Sequence, residues 1–243
     1  MCFSAPVSLA ASSLLLPAGL YSLRLVYHQN PGYISLASIP IAFAIQQSCE
    51  ALVWLGIEGS SVVETNLGAF GFLAFAYWFW LFWSPWSVAQ SEINSSVRRI
   101  CWGFGILGFI YGGLLYFPML IHPQWLSIHV VHHSLEYDTR LIFDPWFSQQ
   151  FDRLLYAIVI LVPFALASNR SLKVFGGAVC LSAIASHWLL NQVFVSVWCF
   201  FAAILSLLIL FICRTAPTMN LQENTDLPLP ESSCSVVDEL NKV

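Results

Sequence analysis

The chain has 243 residues, of which 58% are hydrophobic and only 9% charged, with a mean hydropathy of +0.74 and a formal net charge of −4. Soluble domains carry roughly a quarter charged residues, so this composition excludes a water-facing globule and makes lipid the natural solvent. No clustered basic face is present for nucleic acid, and seven cysteines without a CxxC pair argue against a disulfide framework or a thiolate zinc site.

A membrane-spanning helix needs roughly 20 largely apolar residues, and seven segments qualify. Span 1 runs from about Pro6 to Tyr27, with Ser4 as N-cap and Pro6 in the first turn. No basic residue precedes Arg24, so this segment reads as a span rather than a cleaved signal peptide. Span 2 covers about Tyr33 to Ile57 and span 3 about Leu67 to Val88, where Trp78, Trp80, Trp83 and Trp86 read as interface anchors. Span 4, about Ile100 to Ile121, carries Gly108 and Gly112, a small-xxx-small pair that admits a close neighbour helix; Gly103, Gly105 and Gly113 widen that face.

The stretch Pro123 to Asp144 is too polar to span. His129, His132, His133 and Glu136 recur there at helical spacing, with Trp125, Ile128, Val131 and Leu135 opposite, which predicts an amphipathic helix in the outer interface. Span 5 begins near Asp144-Pro145-Trp146 and reaches about Ala167. The final apolar run, about Val174 to Ile212, would be roughly 58 Å long as one helix, twice the hydrocarbon core, so it folds into spans 6 and 7 with a turn within His187 to Gln192. Residues 214–243 read as a disordered cytoplasmic tail after a seven-span domain of residues 1–213.

Seven spans place Arg24, Arg98, Arg99, Arg170, Lys173, Arg214 and Lys242 on one side and only Arg140 and Arg153 on the other. The positive-inside rule makes the first side cytoplasmic, with the N-terminus outside, as expected of a plasma or inner membrane protein.

That orientation gathers the unusual polar residues at the outer face. Glu50 sits about 10 Å below it, sharing a helix face with Gln46. Histidines four apart on a helix, as His129 and His133 are in that reading, can hold one metal. His187 and Asn191 are also four apart, and Cys2 stands at the outer start of span 1 with a potential amine and thiol.

The opening Met-Cys-Phe-Ser-Ala, the QQSCEALVWLG of span 2 and the HHSLEYD segment resemble a family of uncharacterised bacterial multi-pass membrane proteins. The resemblance covers most of the chain up to the tail and implies no established activity. The segment His129-Val-Val-His-His133 is also similar to the HxxHH box of membrane di-iron enzymes, but those use several boxes and about eight histidines on the cytoplasmic side, and this chain has six histidines in all. The span count is loosely similar to the ceramidase and progestin-receptor superfamily, whose histidines come from the second and last spans.

The functional expectation is a metal-dependent, hydrolase-like membrane enzyme with an extracytoplasmic site. His129, His133 and His187 would bind zinc or another divalent metal, with His132 as fourth ligand or supporting partner. Glu50 or Asp138 would act as general base, Asn191 would steady an oxyanion, and Cys2 is an additional candidate nucleophile. A lipid or other amphipathic substrate would enter from the bilayer. The alternatives are a small transporter, channel or sensor using Glu50 and His187, or a membrane scaffold whose polar cluster is structural.

Overall fold

The computed structural model describes residues 4–131, 133–142, 149–189 and 193–215. Among them are seven long helices: α1 (Ala5–Gln29), α2 (Pro31–Glu58), α3 (Val62–Ser91), α4 (Ser95–Ile121), α5 (Gln149–Leu166), α6 (Arg170–Leu189) and α7 (Phe194–Arg214). They stand where the seven apolar segments were expected. Five of them, α1 to α4 and α7, are long and apolar enough to cross a membrane. Between α6 and α7 the chain breaks near the expected turn, and residues 190–192 lie outside the described residues, as does the predicted tail beyond residue 215.

Helices packed in chain order form the bundle, and the C-terminal turns of α7 return to α1. The outward faces are apolar: Leu14 and Leu20 on α1 and Ile106, Phe109 and Ile110 on α4 are exposed. Such contiguous apolar surface needs lipid to cover it. By contrast, α2 is the most buried of the five, with 67% of its apolar window inside the bundle.

Close packing depends on small residues at a few positions. A Cβ on Gly112 would lie 2.8 Å from the Tyr77 carbonyl oxygen, and one on Gly108 would collide with the Leu81 carbonyl oxygen, so α4 meets α3 backbone to backbone there. The predicted role of this pair is what the packing uses. Gly103 differs from them, because a Cβ there would meet nothing within 4 Å.

Two expectations are corrected. The segment after α4 is not an amphipathic helix but an antiparallel hairpin, β1 (Leu126–Val131) and β2 (Ser134–Thr139), so the fold is not all-α. The physical reason is periodicity. Leu135, Tyr137 and Thr139 are buried while Glu136 is half-buried and Asp138 exposed, a period of two. The β-branched Ile128, Val130 and Val131 favour the same state, and His133 takes the positive φ (58°) of the tight turn. Second, Trp80 is no interface anchor: it is buried and donates its indole N–H to Gln46 Oε1 at 2.8 Å.

Candidate functional site

Polar side chains within an apolar helix must find partners on neighbouring helices, and those of α2 do so. Gln46, Gln47 and Glu50 are fully buried. Gln46 is bonded to Trp80 of α3, while Glu50 Oε1 accepts a 2.5 Å hydrogen bond from Ser196 Oγ of α7. Glu50 Oε2 and both side-chain polar atoms of Gln47 have no hydrogen-bond partner among the described residues.

Cys199, one turn along α7 from Ser196, and Tyr137 of β2 line a recess of about 260 Å³ between the hairpin, α3, α5 and α7. Its other polar walls include Tyr77, Glu136, Asp138, Thr139, Asp152 and Arg153. Several of these are anchored. The Tyr77 hydroxyl bonds Thr139 Oγ1 at 3.0 Å and ties α3 to the hairpin, while Tyr111 of α4 donates to buried Asp152 at 3.1 Å. The Arg153 guanidinium lies 4.9 Å from the centre of the Phe194 ring. A wide turn of π type at Ala74–Phe79 shapes the α3 wall, and the Tyr156 hydroxyl donates to the Ala76 carbonyl within it at 2.6 Å.

Tyr137 is held on the other side by stacking on Phe72, with ring centres 5.0 Å apart. Burial, and then the neighbouring Glu50, push its hydroxyl well above the ordinary phenol pKa. Tyr156, Trp198 and Cys199 also line a second, apolar crevice between α2, α3, α5, α6 and α7, together with Ile39, Phe43, Ile160, Phe164 and Val179 among others.

This arrangement uses only part of the expected site. Glu50 lies beside two lining residues, and Asp138 is on the lining itself. His129 and His133 are exposed on the hairpin; His129 pairs across the strands with Glu136 and His133 occupies the turn, so the helical i, i+4 geometry between them does not exist. His187 is exposed at the end of α6, its ring 6.2 Å from that of Phe194. None of these three lines the recess. Cys2, His132 and Asn191 lie outside the described residues. Among the described residues no three His, Cys, Asp or Glu side chains come together in a metal-binding group.

Sequence reasoning missed Ser196, Tyr77, Asp152, Arg153, Tyr156 and Trp198. One signal was available for Asp152 and Arg153, two adjacent charges in the first turns of an apolar span. The aromatics had none, since a buried tyrosine and an interface anchor read alike.

A model of a family of unknown function, DUF6629, matches residues 1–224. The chain belongs to that family. The match embraces every described helix, the hairpin and the recess, so the site is built wholly from the family's own region. No curated protein and no solved structure matches the chain.

Proposed function

We propose that the protein crosses the bilayer seven times and holds an amphipathic molecule in the recess at its hairpin-bearing end. The polar part of that molecule lies against Tyr77, Asp152 and Arg153, and its apolar part enters the crevice beyond Tyr156 and Trp198. One observation carries this reading: the polar recess and the apolar crevice share Tyr156, Trp198 and Cys199, so two unlike walls stand side by side for a ligand with two unlike ends.

The charge pattern supports an extracytoplasmic position for the hairpin end. Contacts gather the opposite end: Ser168 N–H donates to Glu92 at 2.7 Å, Asn169 Nδ2 to Tyr33 Oη at 3.2 Å, and the Arg214 guanidinium lies 5.4 Å from the Tyr21 ring centre. Arg98, Arg99, Arg170 and Lys173 neighbour these contacts in sequence, which favours the cytoplasm for that end and, with it, an outside N-terminus.

A metal-dependent hydrolase gains no support from the placement of His129, His133 and His187. A through-path for transport is disfavoured by the crevice, whose walls are almost all apolar. The test is extraction of the protein purified in mild detergent, followed by mass spectrometry of the released amphiphiles. Wild type should retain one species near stoichiometry. The Cys199→Phe variant, which fills the junction, and Val195→Trp, at the recess wall, should lose it while eluting as folded protein. An amphiphile absent from wild type, or kept by both variants, would sink the proposal.

A further inference from the structure

Resting on the recess as a ligand site, we infer that its ligand carries an organic ammonium group on an apolar tail. Among the described lining residues three carboxylates, Glu136, Asp138 and Asp152, accompany a single guanidinium, that of Arg153. The Arg153 charge is directed over the Phe194 ring, and Asp152 is buried. Carboxylates thus outnumber cationic groups on the described lining, a balance that favours a cation over an anion.

The remaining walls point the same way. Tyr77, Tyr137, Tyr156 and Trp198 contribute four aromatic rings. Ring faces carry negative potential, and aromatic residues with nearby carboxylates are the surroundings that desolvate an alkylammonium group at least cost.

A second observation is independent of charge. The Tyr137 hydroxyl and the Trp198 indole N–H belong to lining residues only 8% and 7% exposed, and neither polar atom has a hydrogen-bond partner among the described residues. Buried polar atoms are normally satisfied, and here the ligand is the partner that satisfies them. Because an indole N–H only donates, the ligand presents an uncharged acceptor oxygen, such as a hydroxyl or ester oxygen, close to its ammonium group. The tail then follows Trp198 and Cys199 into the crevice between Phe43, Ile160 and Phe164.

The experiment uses the full-length protein in maltoside detergent, with binding followed by calorimetry and thermal shift. The probes are dodecyltrimethylammonium, dodecanoate, dodecanol and choline. The ammonium amphiphile should bind saturably and about tenfold or more tighter than dodecanoate, and less tightly at high salt. Asp152→Asn should weaken it about tenfold, and Asp138→Asn, at an exposed position where folding is not at stake, several-fold. Equal binding of dodecanoate or dodecanol, lost in Cys199→Phe, would overturn the ammonium assignment and leave the amphipathic site standing. Choline binding as tightly as the amphiphile would keep the cation site and overturn the amphipathic reading. Failure of all four probes to bind saturably would overturn both.

Discussion

Glu50 on α2 and Ser196 on α7 are joined by a 2.5 Å hydrogen bond across 146 residues of chain, and both side chains are fully buried. The bond fixes how α7 is rotated against the central helix. That rotation presents Val195, Trp198 and Cys199 to the recess. Glu50, a candidate general base from sequence alone, is thus also tied to the geometry of the wall beside it.

Removing the hydroxyl leaves a buried carboxyl group without its donor, a loss of about 1–3 kcal/mol. Ser196→Ala should therefore lower the melting temperature in detergent by about 2–12 °C. Glu50→Gln keeps an acceptor of the same shape and should cost less. A Ser196→Ala protein that melts with wild type would show that the bond contributes nothing.

Glu92 gives a pH dependence at the other end of the bundle. It accepts the Asn94 N–H at 2.9 Å and the Ser168 N–H at 2.7 Å, linking the α3–α4 and α5–α6 connections. Burial works against its charge, but bonds from Ser168 and from the backbone at Asn94 and Ile93 outweigh it and hold the carboxyl below the ordinary range. With a folded pKa below the unfolded one, the stabilisation is complete above the unfolded value of about 4.3 and fades as pH falls through the folded pKa. Wild type should lose thermal stability as the pH drops below about 4.3, and Glu92→Gln should flatten that part of the profile while being less stable at neutral pH.

Glycines of α4 should divide by position. Gly112→Val and Gly108→Val force α4 away from the α3 backbone and should destabilise or unfold the protein. Gly103→Ala meets open space and should be neutral or stabilising by up to about 1 kcal/mol, from helix propensity. Thermal unfolding of the three variants distinguishes them, and equal effects at Gly103 and Gly108 would contradict this packing.

At the hairpin turn, His133 has φ 58°, a conformation open to Gly or Asn and hostile to β-branched residues. His133→Val should cost about 1–2 kcal/mol and weaken ligand binding through β2, while His133→Gly should be tolerated. Metal content, measured by elemental analysis, should be the same in wild type and in a His129→Ala/His133→Ala double variant. A stoichiometric metal lost in the double variant would reinstate the histidines as ligands.

Orientation is checked by cysteine substitution at Ser61 and Ser95, at the α2–α3 connection and the start of α4. A membrane-impermeant thiol reagent should label the Ser61 position from outside and leave Ser95 untouched, above the background of the native cysteines. The reverse pattern would invert the proposed topology.

The positions of all seven helices were legible in the chain, as were the close approach at Gly108 and Gly112 and the burial of Glu50. Each rests on local information: a length of apolar sequence, small residues one turn apart, or one carboxyl group in an apolar run. The hairpin was misread because His129, His132, His133 and Glu136 satisfy a helical spacing by chance, while the alternation of Leu135, Tyr137 and Thr139 is a weaker signal over six residues. Asp138 was chosen for its neighbours in sequence and reaches the recess as part of a strand.

What the sequence determined alone is the environment and the long helices within it. Lipid offers the backbone no hydrogen bonds, so long apolar segments become helices whatever their neighbours. Which polar residues meet was decided by tertiary structure. The rotation of each helix, the return of α7 to α1 and the docking of β2 bring Tyr77, Tyr137, Asp152 and Cys199 around one recess. Those contacts join residues tens of positions apart, so their chemistry depends on packing that no local pattern encodes.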